Sequence, residues 1–220
     1  MKGKLKNSDE LGSEPADTLN EVMNLASQPG VPGRINMPVN AGFDDLKSPP
    51  WQRGHRLAHA VRESLGMGGE RYNDEILSQV LGIGSDNLTG SAGSYTHAPV
   101  GLGIRTGNDE LKLLFRKKNR PARRFEAARF IADYLCAERR DRWLPITDAA
   151  TARQKVQRAF AAEFLCPIAS LRAYLGDEFL PEAFEDAAEY FGISEMAVAS
   201  HLANHRLIPR TLVESQTTML

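Results

Sequence analysis

The sequence predicts an α+β protein that is mainly α-helical and carries a small β-sheet. Apolar residues recur with the 3.6-residue period of a helix in several long segments. These segments are Trp51–Leu65, Asn73–Leu81, Arg123–Leu135, Ala149–Leu165 and the stretch from 180 to 207. The pattern changes at Val100–Arg105 and Leu111–Phe115, which are typical of two short strands. Gly107 and Asn108 lie between these strands, so we expect a hairpin.

Composition excludes some classes of protein and leaves the partner open. The 27 basic and 28 acidic residues nearly cancel, so net charge points to no class of partner. No apolar run approaches the roughly 18 residues of a transmembrane helix, and the polar start does not resemble a signal peptide. Cys136 and Cys166 stand in apolar sequence and are interpreted as buried thiols of a reducing cytoplasm. We therefore expect a cytoplasmic protein that does not bind membranes.

The chain divides into three predicted parts. Residues 1–49 are rich in charged residues, Gly, Pro and Asn, and predict a flexible tail or linker with a short helix over Asp17–Ser27. Residues 50–167 form the predicted core domain, and residues 168–220 a predicted C-terminal subdomain. The apolar face of the short helix is expected to consist of Leu19, Val22, Met23 and Ala26.

The rest of the chain is organised around the predicted helix Arg123–Leu135. Phe125, Ala128, Ala132 and Leu135 recur at helical spacing and form one apolar stripe. Further apolar residues widen the stripe, and no Gly or Pro interrupts it. We expect this helix to be buried on more than one side. The residues that widen the stripe are Ala127, Ile131 and Tyr134.

Four separated blocks carry a resemblance to a known family. The blocks are Gly54, Leu57, Ala58 and Arg62; Arg124-Phe125 with Tyr134-Leu135; Phe160–Pro167; and Ala188–Leu202. In order and spacing they resemble the ImmA/IrrE zinc metallopeptidases over about residues 50–210. The resemblance implies a zincin-like core with a small sheet, followed by a helix-turn-helix-like subdomain. It also implies a bacterial regulatory protein of stress or mobile-element genes.

The residues that bind zinc and catalyse hydrolysis in this family are replaced in this chain. The resemblance places the two histidines of the family's HExxH motif at Arg129 and Asp133, its catalytic glutamate at Phe130, and the third ligand at Val156. Arg, Phe and Val cannot coordinate zinc, and one carboxylate is not a site. The expected protein is a pseudoenzyme that has no zinc cofactor. We expect Arg129 and Asp133 to form an i, i+4 ion pair and Phe130 to fill the vacated space.

A basic run precedes the central helix. Its residues Arg116, Lys117, Lys118, Arg120 and Arg123 are candidate contacts for an anion or a partner, the alternative being a solvated loop. Arg124 is interpreted as structural instead, because an Arg before the Phe recurs in the family. The expected partner is a protein such as a repressor, or a small molecule bound in the vestigial cleft.

Two other functions remain open. An active peptidase with other ligands is conceivable because His55 and His59, like His201 and His205, are spaced i, i+4. Without a placed Glu this spacing is a weak metal signal, and His201 and His205 are interpreted as solvent-exposed or capping. A DNA-binding regulator is disfavoured, because seven acidic residues and no Lys or Arg lie between Arg172 and Arg206. The acidic residues are Asp177, Glu178, Glu182, Glu185, Asp186, Glu189 and Glu195.

Overall fold

The computed structural model describes residues 15–37, 47–89, 94–107, 109–176, 179–180 and 182–217. Its helices are α1 (Pro15–Ser27), α2 (Pro50–Ser64), α3 (Asp74–Leu81), α4 (Asp86–Thr89), α5 (Arg120–Cys136), α6 (Ala152–Leu165), α7 (Ile168–Leu175), α8 (Ala183–Phe191), α9 (Glu195–Asn204) and α10 (Arg210–Thr217). Its strands are β1 (Val31–Arg34), β2 (Gly101–Arg105), β3 (Glu110–Leu114) and β4 (Trp143–Ile146). The expected α+β, mainly helical class is confirmed.

The four strands form one antiparallel sheet in the order β1-β3-β2-β4. The predicted hairpin is its centre, with Gly103 of β2 opposite Leu113 of β3. Successive residues of a strand face opposite sides of the sheet. Leu102 and Ile104 therefore share one face with Leu25 of α1, while Gly103 contacts Phe130 of α5 on the other. Asn108, in the predicted turn, lies outside the described residues.

The sheet includes a segment that the sequence assigned to the tail. β1 pairs with β3, and Val31 is buried in the main core. The short helix is present as α1, but its buried residue is Leu25, while Leu19 and Met23 are exposed. The expected apolar face of this helix is right for Val22 and Ala26, which pack against the same small cluster, and wrong for Leu19 and Met23. The described residues 15–37 are packed in part against the sheet and are not a free tail.

Helix α5 lies at the centre of the molecule, as expected. Ten residues between Arg123 and Asp133 are buried, because the sheet covers one side of α5 and the helices α3 and α6 cover others. Asn119 caps its first turn by accepting a hydrogen bond from Ala122 N at 2.9 Å. Val156, on the facing helix α6, is buried like an ordinary core residue.

Two residues in apolar segments, Trp51 and Cys136, are exposed. In α2, Leu57, Ala58 and Val61 are buried, but Trp51 is 46% exposed and packs edge-on against His55. Trp51 lies in the first turn of α2, where the helix reaches past the core. Cys166 is buried, whereas Cys136 ends α5 and is exposed.

The C-terminal helices pack onto the core. Ser194 caps α9 by accepting a hydrogen bond from Ala197 N at 3.2 Å. Arg124 is fully buried and donates to the Gly192 carbonyl in the α8–α9 turn at 2.9 Å, to Tyr72 O, and to the carboxylate of Asp74. The structural role expected of Arg124 is thus confirmed. Across the described ranges, no helix is long and apolar enough to cross a membrane.

Candidate functional site

A cleft of about 1770 Å³ opens between α5 and α6 on one side and α9 with the chain after it on the other. The first turns of α2 close one end. Its lining includes seven basic side chains, against the two acidic residues Glu126 and Asp148. The basic residues are Arg116, Lys117, Arg129, Lys155, Arg158, Arg206 and Arg210.

The positions Arg129, Phe130 and Asp133, here called the α5 window, do not form the expected ion pair. Arg129 instead reaches across to α6 and donates from Nη2 to Thr147 O at 2.6 Å, Gln154 Oε1 at 2.6 Å and Gln157 Oε1 at 3.2 Å. Asp133 accepts a bidentate pair from Arg153, at 2.7 and 2.8 Å. The predicted ion pair between Arg129 and Asp133 is therefore wrong, because α6 supplies each of these side chains with partners that are better placed than its neighbour on α5.

The rest of the α5 window is closed to a metal. Phe130 is fully buried and packs edge-on against Phe115 with ring centroids 5.5 Å apart, so it fills the space as expected. Val156 is apolar and buried. Both carboxylate oxygens of Asp133 are bound to Arg153, which leaves no free ligand at these positions.

Arg129 is a buried cation that no carboxylate contacts directly among the described residues, although the charges of Asp148 and Glu126 act on it. It is 5% exposed, its Nε is buried without a hydrogen-bond partner, and all its bonds within the described residues go to neutral oxygens. Burial, and then the positive charge of Arg158, lower the pKa of Arg129 to about 10. The guanidinium is therefore charged at neutral pH and lines the cleft.

The basic run is divided by the fold: two of its residues line the cleft, two bond to other parts of the chain, and Lys118 is exposed to solvent. Arg116 and Lys117 line the cleft, and their backbone N–H groups donate to the buried carboxylate of Glu126. Arg123 is buried and donates to Asn87 O and the Ser94 hydroxyl, so it is structural. Arg120 pairs with Asp74 at 2.7 Å. Lys118 is exposed and does not line the cleft.

A second group of side chains, here called the histidine cluster, lies beside the cleft. It consists of His55 of α2, Glu163 of α6, His201 of α9 and His205 just after α9. One ligand atom from each side chain lies within 4.8 Å of the others. Glu163 Oε2 is 3.2 Å from His201 Nε2 and 3.9 Å from His205 Nε2. The rings of His55 and His205 stack with centroids 4.7 Å apart. These donor types at these separations match a transition-metal site.

Helix packing brings the cluster together. A Cβ atom on Gly54 would lie 2.5 Å from the Val156 carbonyl oxygen and 2.8 Å from the Phe160 amide nitrogen, so only glycine allows α2 to lie this close to α6. This approach sets His55 beside Glu163. The i, i+4 spacing then places His201 and His205 on one side of the terminal turn of α9.

The charge states suit metal ligation. Burial lowers the pKa of His55 to about 4, with Glu163 opposing the shift. Burial acts to raise the pKa of Glu163, but His201 and the other neighbouring histidines lower it overall. At neutral pH the cluster therefore presents a neutral imidazole at His55 and a carboxylate at Glu163.

Sequence reasoning recognised the histidines but not the cluster. His201 is 1% exposed and not a solvent-exposed or capping residue. His59, the partner expected for His55, is mostly exposed and lies 3.2 Å from the other oxygen of Glu163. One signal was available: Glu163 interrupts the apolar run Phe160–Leu165, and a carboxylate inside such a run needs partners.

The chain has no recognisable relative in three comparisons. Neither family models, nor curated proteins, nor solved structures gave a match. The resemblance to ImmA/IrrE peptidases therefore rests on the residue blocks quoted above. Function is inferred from the side chains that line the cleft.

Proposed function

We propose that this chain is a binding module whose cleft takes an anionic group of a small ligand or a protein partner, without hydrolysing peptides. The observation that carries the proposal is Arg129, a buried guanidinium that lines the cleft with no carboxylate bound to it. A buried charge that no opposite charge contacts directly is unfavourable. A ligand carboxylate or phosphate would supply that direct contact, and the planar guanidinium suits both groups.

The surroundings of Arg129 support the same proposal. Arg158 and Lys155 on α6 and Arg116 and Lys117 before α5 line the same cleft and raise its positive potential. Asp148 pairs with Arg116 at 2.8 Å and neutralises only part of this charge. The absence of peptidase activity is part of the proposal, because Arg129, Phe130 and Val156 offer no zinc ligand.

A place in the cell is proposed from the resemblance alone. We assign the core to a zincin-like fold, the α8–α9 pair to a helix-turn-helix-like subdomain, and the protein to the bacterial cytoplasm. The role is regulation of stress or mobile-element genes, through a partner such as a repressor. The four residue blocks support this assignment.

Inorganic phosphate and citrate are suitable probes, with binding followed by calorimetry. We expect one saturable site per chain, and binding about 10- to 100-fold weaker in Arg129→Gln, since a hydrogen bond to a charged group contributes about 1.5–3 kcal/mol. Adjacent lysines give a matched pair: Lys117→Gln should weaken binding and Lys118→Gln should not, because only Lys117 lines the cleft.

Arg158→Gln is the second cleft variant if Arg129→Gln does not fold. Equal affinity in Arg129→Gln, Arg158→Gln and the wild-type chain, or no saturable binding at all, would remove the anion site. Cleavage of peptides by the purified chain, lost on chelation, would remove the claim that it does not hydrolyse them.

A further inference from the structure

The histidine cluster is distinct from the α5 window and has unsatisfied donors of its own. The Nε2 atoms of His201 and His205 are buried and make no hydrogen bond within the part of the chain that is described. His201 Nε2 lies 3.2 Å from Glu163 Oε2 without the geometry of a hydrogen bond. Buried polar atoms almost always have a partner. Two such atoms beside one carboxylate are placed to bind a shared ligand.

We propose that His55, Glu163, His201 and His205 bind one divalent transition-metal ion. Three imidazoles and a carboxylate are ligands for Zn²⁺ and the neighbouring first-row ions, whereas Mg²⁺ and Ca²⁺ take mainly oxygen ligands. Four ligands around Zn²⁺ lie about 3.3 Å apart when each bond is about 2.0–2.1 Å. The cluster spans up to 4.8 Å, so it contracts on binding. His55 and His205 lie on the partly open side, where their side chains have room to turn.

Outer contacts hold the carboxylate in place. Glu163 accepts from the Ile168 N–H at 3.4 Å, and its Oε1 lies 3.2 Å from His59 Nε2. Metal-bound carboxylates are commonly held by such second contacts. His59 is therefore a positioning residue for Glu163 and not one of the four ligands.

Four protein ligands fill the coordination shell of a tetrahedral ion, which is the pattern of a structural site. The ligands come from three regions, namely α2, α6 and the C-terminal end of α9. The ion therefore ties the C-terminal helix pair to the core at the end opposite to the bonds of Arg124. We infer that it stabilises the docking of α9, since an ion that binds only the folded chain raises its stability.

The test uses the full chain produced without a polyhistidine tag, stripped with EDTA and titrated with Zn²⁺ against a chromophoric chelator. We expect one Zn²⁺ per chain and a rise in Tm on binding. Replacing Zn²⁺ with Co²⁺ should give intense visible absorption typical of a tetrahedral ion. His201→Ala, His205→Ala and Glu163→Gln should each weaken Zn²⁺ binding by at least about 100-fold, the upper end of the loss seen for second-shell changes.

His97→Ala is the matched control, because His97 is exposed and is not in the cluster. It should bind Zn²⁺ like the wild-type chain. His55→Gln and His205→Ala decide the outcome if His201→Ala does not fold, since both side chains are partly exposed. Sub-stoichiometric binding, unchanged affinity in His205→Ala and His55→Gln, or an equal loss in His97→Ala would overturn the site. Phosphate binding at Arg129 is measured separately, so either proposal can fail alone.

Discussion

Arg129 of the α5 window and the three histidines of the histidine cluster line one cleft, and the two regions have opposite electrostatic needs. The α5 window holds Arg129, a buried cation whose hydrogen bonds go to neutral oxygens. The histidine cluster holds a buried carboxylate beside two buried imidazole nitrogens that make no hydrogen bond among the described residues. The first arrangement suits an anion and the second a metal ion. Whether the α5 window can hold a metal therefore does not decide whether the fold binds one elsewhere.

The two regions also differ in how each is built. The three positions of the α5 window lie on one helix and can be located by spacing in the sequence. The cluster joins side chains that are far apart in the sequence, through the packing of α2, α6 and α9. Its geometry depends on close contact between helices, and sequence spacing does not report that contact.

The largest expected effect on stability comes from removing the ion pair between Asp133 and Arg153. Arg153→Ala leaves the carboxylate of Asp133 buried and unpaired, and we expect a loss of about 3–5 kcal/mol in the free energy of unfolding. Denaturant unfolding measures this loss. Arg140→Ala is the control, because Arg140 and its partner Glu138 are both exposed and their pair contributes little. Equal stability of Arg153→Ala and the wild-type chain would show that Asp133 is free to bind another group.

A smaller effect tests how the histidine cluster is assembled. Gly54→Ala forces α2 away from α6, because the added Cβ would meet the backbone of Val156 and Phe160. We expect a loss of about 1–3 kcal/mol in unfolding free energy, the usual cost of overpacking. Zn²⁺ affinity should also fall, since His55 moves with α2. Gly68→Ala is the control, because the nearest atom to its Cβ would be a flexible carboxylate oxygen at 3.4 Å.

Measuring both the unfolding free energy and the Zn²⁺ affinity of Gly54→Ala separates the effect of helix packing from the effect on metal binding. A variant that loses stability but keeps wild-type Zn²⁺ affinity would mean that the spacing of α2 and α6 does not position His55. Unchanged stability would mean that the helices adjust without cost at this point.

The sequence predicted those parts of the fold that depend on local pattern. Helix α5 and the β2–β3 hairpin follow from periodicity. Strands β1 and β4 were missed because each has four residues and a proline, too few to show alternation. Their pairing with β3 and β2 is a tertiary effect.

The candidate sites show the same limit. Arg129 was named only as the position where the family's first histidine would fall, and the partner predicted for it was wrong because Gln154 and Gln157 come from α6. His201 and His205 were recognised as a pair, but their burial against Glu163 depends on how α9 docks. Asp177 and Glu178 of the acidic set lie outside the described residues.

The most direct test of this account locates the metal itself. Crystals of the chain grown with one equivalent of Zn²⁺ should show, at the zinc absorption edge, one anomalous peak between His55, Glu163, His201 and His205. The metal–nitrogen distances should be about 2.0–2.1 Å. No peak is expected beside Arg129, Phe130 and Asp133. A peak at the α5 window, or none at the histidine cluster in fully loaded protein, would contradict the account.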